Sequence, residues 1–297
     1  MGIRLLRKVE IDLKRTSYIS ELREIVAMER RQGKKIAFIP TMGYLHQGHL
    51  ALVERAKQSG SFVVLSIFVN PLQFGPNEDY SSYPRDLERD AHLVEIAGVD
   101  ALFHPTSAEM YPRPMVTYVE VGQLDSVLCG AKRPGHFRGV VTVVSKLFHI
   151  VQPDFAFFGQ KDYQQYLIIQ RMVKDLNLPV EIIPVPIVRE QDGLALSSRN
   201  VFLTSEQRQE ALILSQSLNE AEMLWRAGER SARVLETRIR DRITRESQGI
   251  IDYVEVRDAE DLSEVTNMEN PVLVALAVRF GSTRLIDNKV MEVEPLV

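Results

Sequence analysis

The run Phe62-Val63-Val64-Leu65-Ser66-Ile67-Phe68-Val69 is apolar at all but one position. It is far too short to span a bilayer, and it lacks the alternation that would leave one face in water. A strand of this kind has to be covered on both faces, the condition met at the centre of a parallel sheet. Residues 35–39, ending at Pro40, form a second short apolar segment of the same type. Leu50, Val53 and Ala56 then recur at helical spacing, with Glu54, Arg55, Lys57 and Gln58 on the other side. Residues 86–97, 140–151 and 163–176 read as helices, and residues 100–103, 155–158 and 180–188 as strands. This strand–helix alternation predicts an α/β fold, a Rossmann-like doubly wound parallel sheet.

Beyond residue 188 the rhythm changes. Residues 204–227 form a long amphipathic stretch with Ala211, Leu214, Leu218, Ala221 and Leu224 on its apolar side, and residues 231–247 form a second helix. Residues 251–256 and 272–279 read as strands, the latter running towards a turn at Gly281. A chain of 297 residues exceeds the ~100–200 common for one domain. The expectation is a sheet domain over residues 1–187 and a smaller α+β domain over residues 188–297.

The 36 Lys and Arg against 40 Asp and Glu give a net charge of −4, which argues against a nucleic-acid partner. The single cysteine, Cys129, leaves no internal disulfide to form, so a reducing cytoplasm is the expected location. Beside Val127 and Leu128 it reads as packing rather than as a nucleophile. Residues 1–15 mix charged and aliphatic side chains without the unbroken apolar core of a signal peptide. Leu6 stands where a myristoylation signal needs Ser or Thr. No membrane partner is expected.

Three segments carry chemistry. Pro40-Thr41-Met42-Gly43-Tyr44-Leu45-His46-Gln47-Gly48-His49 lies between a buried strand and its helix, where parallel α/β sheets bind ligands. A helix N-terminus offers unpaired amides and partial positive charge, which suits phosphate. His46 and His49 project from one side of the opening turn, and Gly43 and Gly48 allow close backbone approach. Two imidazole donors there suit the extra charge of a five-coordinate phosphorus. As metal ligands the pair is weaker, since no third ligand lies at a typical spacing. Gly159-Gln160-Lys161-Asp162 repeats the strand-to-helix setting: Lys161 suits a β- or γ-phosphate, and Asp162 suits a helix cap, a ribose hydroxyl or a Mg²⁺ water. Gln165 is one turn further on. Leu196-Ser197-Ser198-Arg199, at the change of rhythm, suits a hinge closing over triphosphate. Two long connections, residues 70–85 and 130–139, are expected to be functional.

Six segments together resemble the pantoate–β-alanine ligase (pantothenate synthetase) family, within the nucleotidylyltransferases that carry a His-x-Gly-His motif. They are residues 40–49, Phe68-Val69-Asn70-Pro71-Leu72-Gln73-Phe74, Tyr83-Pro84-Arg85, residues 133–140, residues 158–165 and residues 192–200. The resemblance implies that ATP and pantoate give pantoyl-adenylate and pyrophosphate, and that β-alanine then displaces AMP. It implies catalytic roles for His49, His46, Lys161 and Arg199. It places ATP on Met42, Gly43, Tyr44, Leu45, Gln47, Gly48, Gly159, Gln160, Asp162, Val188, Leu196, Ser197 and Ser198 as well. Gln73 and Gln165 would hold pantoate, with Asn70 and Tyr83 beside them, and Gln73 would also meet β-alanine. Asp90 would help hold Mg²⁺. Residues 1–187 would then bind ATP and pantoate, residues 188–297 would act as a lid, and the assembly would be a homodimer. Residues 130–139 match the family's gate, with Arg133, His136 and Arg138 expected to shut the site against water. Two departures are mild: Leu196 stands where many members have Met, and Gln160 where many have Glu. A plain nucleotidyltransferase would have no use for Gln73 and Gln165, because a phosphate substrate calls for Arg or Lys.

Overall fold

The computed structural model describes residues 13–76 and 78–292. The leader and myristoylation question therefore falls, up to residue 12, outside the described residues, as does Asn77. Six parallel strands form the first sheet: β1 (Lys14–Thr16), β4 (Ala101–Phe103), β3 (Phe62–Ile67), β2 (Ile36–Thr41), β5 (Phe155–Gly159) and β6 (Glu181–Val185), in that spatial order. The order reverses between β2 and β5, so the carboxyl ends of these neighbours open a crevice at the topological switch point.

Pleating sends alternate residues of the central strands to opposite faces, and both faces are dry. Ile36, Phe38, Phe62 and Val64 enter one core with Leu22 and Val26 of α1 (Ile19–Arg31). Ala37, Ile39, Val63 and Leu65 enter the other with Leu52, Val53 and Ala56 of α2 (Gln47–Lys57) and Val94 of α3 (Leu87–Ile96). The β2–β3 register, Ile36 opposite Phe62 through Thr41 opposite Ile67, keeps these sets aligned. The expected doubly wound sheet is the fold observed. Neither β1 nor α1 was assigned from sequence: β1 has only three residues, and α1 buries only Leu22, Val26 and Glu29.

The connection read as an irregular loop over residues 130–139 is largely helical. After the short helix α4 (Ser107–Met110) come α5 (Leu128–Lys132) and α6, which starts at His136 (His136–Val151) rather than near residue 140. Gly139, taken as a loop marker, lies inside α6. A Cβ there would stand 2.3 Å from the Leu72 carbonyl oxygen, so the glycine serves close packing of α6 on the chain before Gln73. Helix α7 (Tyr163–Asp175) follows β5.

The long stretch over residues 204–227 is two helices, α8 (Ser205–Glu210) and α9 (Ile213–Arg226). The chain tightens between them, where Leu214 N–H bonds the Ala211 carbonyl three residues back. No Gly or Pro marks the break, so helical periodicity runs through it. With α10 (Ala232–Glu246), α9 covers one face of an antiparallel sheet, β7 (Ile250–Asp258), β8 (Val272–Phe280) and β9 (Thr283–Met291). Its other face is apolar too: Tyr253, Leu273, Ala275 and Ala277 join the core that holds Tyr163 and Tyr166 of α7. The small sheet is thus packed onto the large one's helices through dry surface. Among the described residues no helix is long and apolar enough to cross a membrane.

Replacing Gly139 with Ala forces α6 off the Leu72 carbonyl, and overpacking of this kind costs about 1–3 kcal/mol. Denaturant unfolding of Gly139→Ala is expected to show that loss; unchanged stability would contradict the close contact.

Candidate active site

Strand β2 ends at Thr41, whose hydroxyl donates to the Ser66 carbonyl (2.7 Å) and accepts from Gly43 N–H (3.2 Å). The chain then turns through two residues in the left-handed region, Gly43 (φ 83°) and Tyr44 (φ 51°). The turn is held from beneath by Asp90 of α3, whose carboxylate accepts Tyr44 N–H (2.6 Å) and Leu45 N–H (2.8 Å). Arg89 completes the support, donating to the Leu45 carbonyl (2.9 Å) and to Asp90 (3.2 Å). Leu45 is fully buried beneath the turn.

This brings His46 to the N-cap of α2. Its Nδ1 accepts Gly48 N–H (3.1 Å), while Nδ1 of His49 accepts His46 N–H (3.3 Å), a reciprocal capping arrangement. The rings stand 4.1 Å apart between centroids. Because each Nδ1 is an acceptor, a neutral ring carries its proton on Nε2. Burial first, and then Lys161, push the pKa of His46 down to about 4; burial, His46 and Lys161 push that of His49 down to about 3. Both rings are therefore neutral Nε2–H donors at pH 7, fixed by backbone amides.

Across the crevice β5 ends at Gly159 and passes through a 3₁₀ turn, Gln160–Asp162, into α7. Lys161 and Asp162 line the same cleft as His46 and His49, a cavity of about 230 Å³. Leu196 N–H bonds the Val188 carbonyl (3.0 Å), closing the chain that carries Ser197, Ser198 and Arg199 over the mouth. Ser198 Oγ donates to the Tyr44 carbonyl (3.3 Å), which ties this segment to the histidine turn. Arg199 is already paired: Nε and one Nη donate to the two oxygens of Asp79 at 2.9 and 3.0 Å. Its guanidinium also lies over the Tyr83 ring at 5.6 Å.

The far end of the cleft is apolar, with Phe68 and the stripe Val140, Val143, Val144 and Leu147 of α6. Gln73 and Gln165 stand at its polar border. Gln73 receives Asn70 Nδ2–H on Oε1 (3.1 Å) and points Nε2 at Met42 Sδ (3.1 Å). Tyr83 is buried in the wall, and burial raises its phenol above the ordinary range, so it stays neutral.

Of the residues singled out from sequence, the cleft gathers Met42, His46, Gly48, His49, Gln73, Tyr83, Gly159, Lys161, Asp162, Gln165, Val188, Leu196, Ser197, Ser198 and Arg199. It does not gather Gly43, Tyr44, Leu45, Gln47, Gln160 or Asn70. Gly43, Tyr44 and Leu45 build the supporting turn, and Gln47 is exposed. Asn70 is saturated behind Gln73: it also donates to the Gly139 carbonyl (3.1 Å) and accepts the Tyr111 hydroxyl (2.7 Å). Asp90, expected at Mg²⁺, has both oxygens engaged by backbone amides. Of the expected gate, His136 holds the Gln73 carbonyl (2.8 Å), and Arg133 spans His136 (2.9 Å) and Glu78 (2.6 Å). Arg138 instead pairs with Glu120 (3.1 Å), over the ring of Tyr118, and lines neither this cleft nor the adjoining cavity of about 550 Å³ that Arg133 and His136 line. The α6 stripe went unrecognised as site wall because spacing of 3, 1 and 3 residues is equally that of an ordinary core helix. Asp79, Arg199's partner, has no signal in the sequence.

Comparison with known proteins agrees on one family. A family model described as pantoate-beta-alanine ligase matches residues 14–290. A pantothenate synthetase of Desulfitobacterium hafniense is 67% identical over 274 residues, covering 92% of this chain and 97% of the relative. The crystal structure of pantothenate synthetase from Thermus thermophilus has a TM-score of 0.89 at 48% identity, covering 95% of this chain and 100% of that one. A pantoate-beta-alanine ligase from Francisella tularensis, complexed with beta-gamma ATP and beta-alanine, has a TM-score of 0.78 at 34% identity, covering 94% and 97%.

The histidine geometry is open to direct measurement. Long-range ¹H–¹⁵N correlation spectra are expected to show His46 and His49 as neutral Nε2–H tautomers that do not titrate between pH 7.5 and 5. A ring that protonates near pH 6.5, or carries its proton on Nδ1, would contradict the capping arrangement.

Proposed function

The chain belongs to the pantoate–β-alanine ligase family, and we propose that it joins pantoate to β-alanine through a pantoyl-adenylate made from ATP. The observation that carries this reading is one cleft in which neutral histidine donors, two cations and paired glutamines border an apolar wall. A carboxylate is a poor electrophile, and adenylylation turns one of its oxygens into a leaving group.

In the first step a pantoate carboxylate oxygen attacks the α-phosphorus. The bond to the α–β bridging oxygen breaks, and pyrophosphate leaves. His46 and His49 supply Nε2–H to the α-phosphate oxygens, whose charge grows in the five-coordinate state, and their fixed orientation needs no rearrangement. Lys161 and Arg199 take the β- and γ-phosphates; Arg199 does so by sharing or exchanging Asp79. Gln73 and Gln165 orient the hydroxyls and carboxylate of pantoate, while Phe68 and the α6 stripe enclose its methyl groups. In the second step the neutral amine of β-alanine attacks the acyl carbon, near Gln73. The C–O bond breaks, AMP departs with that oxygen, and the amine proton passes to solvent or phosphate.

Mg²⁺ would enter with the ATP in this reading and would supply charge neutralisation at the phosphates. Among the described residues no three His, Cys, Asp or Glu side chains are gathered as a cage. Asp90, with its oxygens on the Tyr44 and Leu45 amides, does not fit as a direct ligand. The proposal also includes a nucleotide- and pantoate-binding unit at residues 1–187, a lid at residues 188–297, a cytoplasmic location and a homodimeric assembly.

The test is exchange of labelled pyrophosphate into ATP with pantoate and Mg²⁺ present and β-alanine absent. Label is expected to enter ATP only when pantoate is added; no pantoate-dependent exchange by folded protein would refute the adenylate. In the same assay His49→Ala is expected to lose about 10²–10³-fold, the scale for one transition-state donor. A loss under about tenfold would reduce His49 to a helix cap.

A further inference from the structure

Behind the Lys161 turn, strand β9 makes a polar contact with the first sheet's lobe. Asn288, buried at 6% exposure, donates from Nδ2 to two successive carbonyls, Gln160 at 3.0 Å and Lys161 at 2.8 Å. Its own N–H donates to Asp287 Oδ1 at 2.8 Å. The Asp287 carboxylate, 3% exposed, receives both Nη groups of Arg189 at 2.7 and 2.8 Å. Arg189 donates again to the Gly193 carbonyl at 3.1 Å, within the segment that leads to Ser197 and Arg199. One unbroken chain of hydrogen bonds thus runs from that segment, through β9, to the backbone that carries Lys161.

The chemistry of the contact is selective. Two carbonyl oxygens one residue apart need two N–H donors on one short, uncharged stem, which an amide side chain provides. An aspartate there would set acceptors against acceptors, and an alanine would leave two part-buried carbonyls without this partner. The 3₁₀ turn Gln160–Asp162 has no side-chain cap of its own. Its backbone is therefore fixed from outside, by the second lobe.

We propose that Asn288 is a positioning residue for adenylylation, holding the Lys161 backbone so that the ammonium group stands at the nucleotide phosphates only while β9 is docked. This rests on the reading of Lys161 as a phosphate-binding residue. Asn288 lies outside the histidine cleft, and its effect on the phosphates passes through the Gln160–Lys161 backbone that it holds.

The test uses the full chain and measures binding of ATP and of AMP, which lacks the β- and γ-phosphates, by calorimetry. Asn288→Ala is expected to weaken ATP about tenfold, the scale on which lost hydrogen bonds to part-buried acceptors are felt, with AMP affinity essentially unchanged. Lys161→Ala is expected to show the same selectivity, and the double variant to bind ATP no more weakly than Lys161→Ala, because residues that act as one unit do not add. Asn288→Ser, uncharged and still able to donate one hydrogen bond, replaces Asn288→Ala if the latter fails to fold. Equal weakening of ATP and AMP by the Asn288 variant, additive losses in the double variant, or no loss at all would overturn the proposal while the selectivity of Lys161→Ala left that residue's role standing. Absence of selectivity in Lys161→Ala would instead overturn the reading of Lys161, and the proposal with it.

Discussion

The active site depends on one carboxylate. Asp90 accepts the amides of Tyr44 and Leu45 and so stabilises a turn in which consecutive residues, Gly43 and Tyr44, both hold left-handed φ. Little room is left for another solution. A Cβ on Gly43 would stand 2.8 Å from Ile67 Cγ2 and 3.1 Å from Asp90 Oδ2. With the turn in place, Leu45 fills the core and α2 starts at His46. The His49 ring then holds the His46 amide and the His46 ring that of Gly48, which fixes the side of each ring that bears a proton. The Ser198 hydroxyl reads the same turn through the Tyr44 carbonyl, so the segment that carries Arg199 is set by it as well. Burial raises the carboxyl of Asp90 above its usual range, and the two amide bonds oppose that shift by favouring the carboxylate.

The division of labour between charged and neutral groups follows from burial. The histidines sit deep enough that burial, reinforced by Lys161, removes their charge, so in the proposed reaction they would act by direction rather than by net charge. Lys161 and Arg199 remain the cations. Arg199 faces Asp79 in a two-point pair, and Arg133 faces the preceding Glu78 in another. The connection between β3 and α3 therefore places adjacent carboxylates between two arginines at the mouth. The Arg199 guanidinium, which the proposed reaction assigns to the triphosphate, is thus held in a defined place by an internal anion.

Much of this was legible in the sequence for physical reasons that can be named. The apolar run at residues 62–69 can be satisfied only in a sheet covered on both faces, and that demand carries the parallel topology and the crevice at β2 and β5. The His46–His49 spacing places both rings on one side of a helix start whatever the rest of the chain does. What escaped is what depends on contacts distant in sequence. Gly139 looked like a loop residue because close backbone packing and backbone flexibility call for the same amino acid. Asn70 looked like a substrate contact because a buried amide that orients Gln73 cannot be told from one that meets ligand. Arg138 was grouped with Arg133 and His136 by proximity along the chain, yet the α6 helix turns it towards Glu120. Asp90 stands 46 residues from Tyr44, and no local pattern announces that pairing.

In the proposed reaction a carboxylate oxygen of pantoate becomes bonded to the α-phosphorus before nitrogen replaces it at carbon. Pantoate labelled with ¹⁸O in its carboxylate tests this in a complete reaction with ATP and β-alanine. The product AMP, analysed by mass spectrometry, is expected to carry one ¹⁸O, with none in pyrophosphate. Label appearing in inorganic phosphate alongside ADP would mean attack at the γ-phosphorus, and unlabelled AMP would mean that no acyl-adenylate forms; either result would rule out adenylyl transfer to pantoate.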